Sequence, residues 1–167
     1  MYSKVQNGQH CSTHFPSVVK ASIYDANYLF PRLREHDLRE CEAVYDITEK
    51  NPLIEAFNIS KEAWTILYED KPIAMFGVAD YGGNGWGAPY LLGTEDLPKI
   101  AFKFLRHCPE YIDKMHSHYD ILSNFVLADN KIAIRWLKWL GFKLIEKRKY
   151  GRKQELFYSF MRINKNV

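Results

Sequence analysis

The sequence predicts an α+β fold, a mostly antiparallel sheet with helices on both faces. Three observations carry this. Short β-period runs cluster in the middle and at the end of the chain. Helix-period stripes separate them. Two strand–helix–strand passages interrupt an otherwise hairpin-connected order. The chain has 167 residues, 47% hydrophobic and 15% aromatic. A chain of this length buries about 68–70% of the surface its unfolded form exposes, enough for a proper core.

In order along the chain, residues 1–14 are polar and aperiodic and read as a flexible N-terminal arm, leaving 15–167 as one domain. Ser17–Tyr24 alternates loosely, as a first strand does. Ala26–Glu35 places Tyr28, Leu29 and Leu33 on one helical stripe, with Pro31 expected to kink or end it. Asp37 and Glu40 have the spacing of a capping box, opening a helix to Tyr45 through Leu38 and Cys41. Asn51–Asn58 reads as a short helix with Pro52 in its first turn.

The period then changes. Ala63–Tyr68 and Pro72–Ala79 form a hairpin around Glu69-Asp70-Lys71. Tyr81–Gly87 has four glycines in seven residues and is a loop. Trp86–Leu92 is the next strand. Ile100, Phe104, Cys108, Tyr111 and Met115 predict one long amphipathic helix from Pro98 to Ser117. Ile121–Leu127 is a buried strand; Asp129 or Asn130 caps a helix over Lys131–Leu140, which Gly141 ends. Phe142–Lys149 and Gln154–Ile163 make a last hairpin around Tyr150-Gly151-Arg152.

Several function classes fall away. The net charge of +3 is too mild to imply nucleic acid. The basic hairpin Lys143–Lys153 reads as a solvated, lysine-protected edge before it reads as a nucleic-acid or acidic-partner surface. The longest near-apolar run, Pro72–Ala79, is far short of the roughly 18 residues that cross a bilayer. Met1–His14 is polar and does not read as a secretory signal. Cys11, Cys41 and Cys108 are an odd count and fit free thiols in a reducing cytosol. Cys41 and Cys108 lie on apolar stripes, as core residues do. His116-x-His118 has no carboxylate or cysteine at ligand spacing, and Cys11-x-x-His14 is half a motif, so no metal is expected.

The segment Val126–Lys143 carries the most information. A strand runs into Asn130, then a helix with Ala133 and Ile134 that closes on Leu140-Gly141-Phe142. This resembles the Asn-x-x-Ala-Ile…Leu-Gly-Phe segment of the Gcn5-related N-acetyltransferase (GNAT) superfamily. With Leu33–Glu40, Ala63–Ile66, Pro72–Val78 and Leu91–Thr94, the chain from about 18 to 160 is similar to a GNAT-like family of small proteins encoded by tailed bacteriophages, whose members include a short internal virion protein of podophages.

The resemblance implies a GNAT fold in which strands 86–92 and 121–127 splay apart to admit acetyl-CoA as cosubstrate. Its pantetheine would lie on Tyr90, Leu91 and Leu92. Its diphosphate would lie near Gly93, Thr94 and Lys99 at a helix start, with Asn130 facing it. The activity implied is acetyl transfer from acetyl-CoA to an amine of a protein or a small molecule. The alternative is a GNAT scaffold without turnover that binds a phage structural or host protein. Host cytoplasm is the expected location, with packaging in the virion open, and no membrane partner is expected.

The sequence departs from the family twice. After the fourth strand the family carries Gln/Arg-x-x-Gly-x-Gly/Ala, whereas this chain has Leu92-Gly93-Thr94-Glu95-Asp96-Leu97-Pro98-Lys99, with two carboxylates and a proline in the phosphate loop. Seven residues after the conserved-type Asn, where many members place an acid-supplying Tyr, stands Leu137. Strand ends near the splay offer Asp80, Tyr81, Ser123 and Asn124. Asn124 and Asn130 are the catalytic candidates. Asn124 also reads as a strand side chain bonded to neighbouring main chain.

Overall fold

The structure is a computed structural model that describes residues 16–81 and 83–165. The predicted arm, with Cys11 and His14, lies outside the described residues. The elements in chain order are β1 (Ser17–Lys20), α1 (Ile23–Leu29), a 3-10 turn (Phe30–Arg32), α2 (Glu35–Val44), α3 (Pro52–Asn58), β2 (Ser60–Tyr68), β3 (Lys71–Asp80), β4 (Trp86–Gly93), α4 (Leu97–Leu105), α5 (Cys108–His116), β5 (Ile121–Leu127), α6 (Lys131–Trp139), β6 (Lys143–Tyr150) and β7 (Glu155–Ile163).

Local chemistry explains most boundaries. Ser22 and Asp25 form a reciprocal capping box, Ser22 N donating to Asp25 Oδ2 at 2.8 Å. The first strand therefore stops at Lys20, earlier than the alternation suggested. Pro31 ends α1 and opens a 3-10 turn. Asn51 caps α3 by accepting the Leu53 and Ile54 N–H groups. Asn130 caps α6 through the Ala133 N–H at 3.1 Å, and Gly141 closes it at φ +85°.

Two expectations are corrected. The helix expected over 98–117 is two helices, α4 and α5, separated at Arg106-His107. Pro109 has no N–H for the Leu105 carbonyl and its ring crowds it, so the ladder breaks even though the apolar stripe runs on. Asp37 and Glu40 do not form a capping box. Arg34 is the N-cap of α2 without a side-chain bond, and Asp37 is a buried carboxylate inside the helix.

The seven strands form one sheet in the order β1-β2-β3-β4-β5-β7-β6. Every neighbouring pair is antiparallel except β4–β5, which is parallel. On one face Ala26, Leu29 and Leu53 pack with Met75, Tyr90 and Leu92 under α1 and α3. On the other, Ile100, Phe104, Ile112 and Met115 of α4 and α5 pack with Trp64, Phe76, Leu91 and Phe160. The apolar side of α6, with Ala133, Ile134 and Leu137, joins that second core. Among the described residues no helix is long and apolar enough to cross a membrane.

Candidate functional site

The site begins as an interruption of the sheet. β4 and β5 are paired only at Trp86↔Ile121 and Gly87↔Leu122; beyond Gly87 they diverge. β4 remains paired with β3 along its length, and Thr94 N bonds Ile73 O at 2.8 Å. Because an antiparallel ladder alternates, Leu92 and Tyr90 also point at β3. Gly93, Leu91 and Pro89 present their main-chain groups to the opening. The wedge is thus an unpaired strand edge inside the molecule.

Asn124 spans the narrow end. Its Nδ2 donates to Pro89 O at 3.0 Å, and its Oδ1 accepts the Phe125 N–H at 2.8 Å. One side-chain amide thereby stands in for a missing backbone pair. Helix α2 crosses the wide end. Arg34 N donates to Gly93 O at 2.9 Å and the Gly93 N–H donates to Asp37 Oδ2 at 2.8 Å. Asn130 Nδ2 reaches Glu40 Oε2 at 3.5 Å, and Arg39 bonds Asp129 and Glu155 at 2.8 and 2.6 Å. Further along, Lys153 N donates to Ala43 O and Lys153 Nζ pairs with Glu42. One helix is stitched to both arms of the wedge.

A cavity of about 250 Å³ occupies the wedge. Its lining comes from both faces of the sheet: Tyr90 and Leu92 from the α1/α3 side, Leu91 and Phe104 from the other. Of the residues predicted to contact a cofactor, Tyr90, Leu91, Leu92 and Asn130 line this cavity, together with Asn124. Gly93, Thr94 and Lys99 are not part of the lining. In their loop, Asp96 N bonds Thr94 Oγ1, Leu97 N bonds Thr94 O and Lys99 N bonds Asp96 O, while Pro98 has no N–H. Lys99 Nζ is held by Asp96 at 2.6 Å. The main-chain donors named here are engaged within the chain rather than converging on the cavity.

The charged lining was not legible in the sequence. Arg34, Asp37 and Glu40 are the charged residues that face the cavity among those described. Burial pushes the Asp37 carboxyl up, against the pull of Arg34 at 2.9 Å and the Gly93 N–H. Burial, and then the neighbouring Asp37 charge, push Glu40 up to about 7, while hydrogen bonds from Asn130 and the Leu127 main chain oppose the shift. A carboxyl that changes charge near neutral pH is suited to accept a proton.

Phenols surround the rest. Tyr45 and Tyr81 share a hydroxyl contact of 3.2 Å, and the Tyr90 hydroxyl meets that of Ser60 at 3.0 Å. Phe125 and Tyr150 stack with centroids 3.9 Å apart. Leu137, at the position where the resemblance implies an acid-supplying Tyr, packs against the core and lines the cavity with a side chain that has no proton to give.

Other candidates separate. His116 is buried with Nδ1 at 3.0 Å from Tyr119 O, whereas His118 faces Glu62 at 3.3 Å. Among the described residues no group of three His, Cys, Asp or Glu is placed to hold a metal. Burial drives the Cys41 and Cys108 thiols up to about 12, the signature of inert core cysteines. The basic hairpin is partly neutralised by α2 and the turn after it, through Lys153–Glu42 and Arg152–Asp46.

The family model described as "Bacteriophage T7, probable scaffold protein Gp13" matches residues 78–148, less than half the chain. No curated protein matches. Among solved structures, a ribosomal-protein-alanine N-acetyltransferase from Brucella melitensis superposes with a TM-score of 0.68 at 13% identity, covering 89% of this chain and 99% of that one. The ribosomal-protein-S18-alanine N-acetyltransferase from Escherichia coli gives 0.61 at 14% identity, covering 92% and 99%. An acetyltransferase from Bacillus subtilis, solved in complex with CoA, gives 0.61 at 7% identity, covering 90% and 99%. The chain has the fold of the Gcn5-related N-acetyltransferases.

Proposed function

We propose that the protein is an acyl-CoA-dependent N-acyltransferase that transfers an acetyl group from acetyl-CoA to an amine. The observation that carries this reading is the wedge: a strand edge left unpaired at Leu91, opening into a cavity lined from both faces of the sheet. The Leu91 N–H and C=O are placed to bond an extended amide-bearing arm as a strand would. Asn130, at the start of α6, faces the same space. On this reading the amine enters from the α2 side and attacks the thioester carbonyl; its N–C bond forms as the C–S bond breaks. Glu40 is the carboxylate assigned to take the amine's proton, since Asp37 is committed to Arg34 and Gly93. The thiolate leaves with CoA.

The diphosphate end fits less well. The Gly93, Thr94, Asp96, Leu97 and Lys99 amides are already bonded, and Glu95 and Asp96 would stand near the phosphates. That observation, with α2 stitched across the wide end and the similarity of residues 78–148 to a phage scaffold family, favours a second reading. In it the same fold has lost turnover and serves as a virion-associated or host-protein-binding module.

Calorimetric titration with acetyl-CoA separates the two. Micromolar binding that weakens at least tenfold in Asn130→Ala is the expected result for the transferase. Absence of both heat and thermal shift up to millimolar acetyl-CoA would overturn it in favour of the scaffold.

A further inference from the structure

At the corner where α6 ends and β6 begins, the sheet has a notch that the wedge does not use. β6 leaves β7 at the Lys143↔Met161 pair, whereas β7 runs on to Ile163 beside Ile121 of β5. Asn164 N bonds Asp120 O on the β5 side. By the alternation of an antiparallel ladder, Ile163 turns its N–H and C=O the other way, to the side that β6 does not reach. Gly141 keeps the notch open, since a Cβ there would find only Arg162 Nε, at 3.8 Å. The result is a groove of about 490 Å³. Of its described lining residues, only Leu140 also lines the wedge cavity.

The lining combines exposed apolar bulk with charge of one sign. Trp139, Ile145 and Ile163 line the groove while 59%, 59% and 57% exposed. Ile145 stands at the irregularity between Leu144 and Glu146, where no β7 residue is opposite it. The charged residues of the described lining are Lys143, Arg162 and Lys165, all positive. Elsewhere on the hairpin the cations are answered from within the chain, Arg148 by Glu146, Arg152 by Asp46 and Lys153 by Glu42. Among the described residues no carboxylate forms an ion pair with Lys143, Arg162 or Lys165.

Lysines alone would protect an edge strand from pairing. Exposed tryptophan and isoleucine among them work against that purpose, and an apolar patch rimmed by charge marks a contact surface. The charge selects the partner, because carboxylates brought from outside complete three cations that this chain leaves unanswered. The apolar side chains select a polypeptide over a nucleic acid. Single-strand binding by stacking uses successive aromatic planes, and among the described lining residues the Trp139 indole stands alone between aliphatics.

We propose that this groove docks a partner protein through a short acidic segment. An apolar side chain of that segment enters among Trp139, Ile145 and Ile163, and the carboxylates flanking it meet Lys143, Arg162 and Lys165. The Ile163 main chain offers one donor and one acceptor to the segment's backbone. Docking here is independent of what the wedge binds, so it goes beyond both the transferase and the scaffold readings.

The probes are a blocked peptide, Asp-Glu-Leu-Leu-Asp-Glu, and its uncharged counterpart, Asn-Gln-Leu-Leu-Asn-Gln, titrated into the full chain. Amide shifts of Lys143, Ile145 and Ile163 report the site by NMR. At low salt the acidic peptide is expected to bind there at least roughly tenfold more tightly than its counterpart, with the gap narrowing as salt rises. Lys143→Glu combined with Lys165→Glu, both at exposed positions, should weaken it at least roughly tenfold. Trp139→Ala should weaken it roughly three- to thirtyfold. Shifts absent up to millimolar acidic peptide, equal affinity for the two peptides, or binding unchanged in Trp139→Ala overturns the proposal. So does a dilution series that moves the same amides, which would make a second copy of this chain the occupant. An oligothymidylate that binds these amides more tightly than the acidic peptide overturns it in favour of nucleic acid.

Discussion

At the scale of single residues the tension in the molecule is concentrated on Glu40. It is partly buried at the cavity wall, sits beside the Asp37 carboxylate, and is opposed in this by a long contact of 3.5 Å from Asn130, a main-chain bond at Leu127 and the charge of Arg34. Its folded-state pKa, about 7, is above the 4.5 of a free Glu, so the folded chain binds the proton more tightly than the unfolded chain. Glu40 therefore contributes stability below about pH 4.5 that is lost progressively as pH rises through 7. The span corresponds to about 3 kcal/mol. Glu40→Gln keeps the shape and removes the titration. Urea unfolding is expected to show the variant more stable than the parent at pH 8 by an amount of that order, with a flatter profile between pH 4.5 and 7. Equal profiles would mean that Glu40 is solvated and no base of the kind assigned. Asn124 and Asn130 were visible in the sequence because a cap and a strand Asn leave local patterns. Glu40 was not, since nothing local distinguishes a carboxylate facing a cavity from one facing water.

At the scale of elements, α2 and the β6–β7 turn form the joint that closes the wide end of the wedge. Gly151 has φ +74°, and a Cβ there would meet the Ala43 carbonyl and the Val44 backbone. Gly141 also has positive φ, at +85°, but a Cβ there would find only Arg162 Nε, at 3.8 Å. The pair separates two costs. Gly141→Ala should lose about 1 kcal/mol from backbone conformation alone. Gly151→Ala should lose more, about 2–4 kcal/mol, because α2 must also move off the hairpin. Thermal and urea unfolding of both variants measure the difference, and equal losses would show that α2 does not bear on the turn. The strands were readable because alternation and turn residues are short-range signals, as in Ala63–Tyr68 and Pro72–Ala79. The break between α4 and α5 was hidden by an apolar stripe continuous through Cys108, although Pro109 was the local sign. Asp37 at helical spacing before Glu40 mimicked a cap, and only the approach of Gly93, 56 residues away, shows why it is buried.

At the scale of the whole molecule, a continuous seven-stranded sheet is held partly open, and the question is what keeps β4 and β5 from closing. Pro89 supplies no N–H to a partner strand, Asn124 occupies the donors and acceptors at the narrow end, and α2 is fastened to both arms at the wide end. Between these, Leu91 lies opposite Phe76 of β3 but turns its main-chain groups to the cavity, with no β5 partner, while those of Tyr90 and Leu92 are directed at Gly77 and Met75. This arrangement has a signature in amide exchange. In the free protein the Leu91 N–H is expected to exchange at least roughly tenfold faster than those of Tyr90 and Leu92, because exchange there requires no opening of the β3–β4 ladder. Saturating acetyl-CoA should slow Leu91 selectively, since an arm lying in the wedge would take that donor while leaving the ladder as it is. Site-resolved hydrogen exchange by NMR measures both. Protection of Leu91 equal to that of Leu92 in the free protein would mean that the two strands zip together in solution. Exchange that is fast and indifferent to acetyl-CoA would mean an open wedge that takes no thioester arm, which is the behaviour of the scaffold.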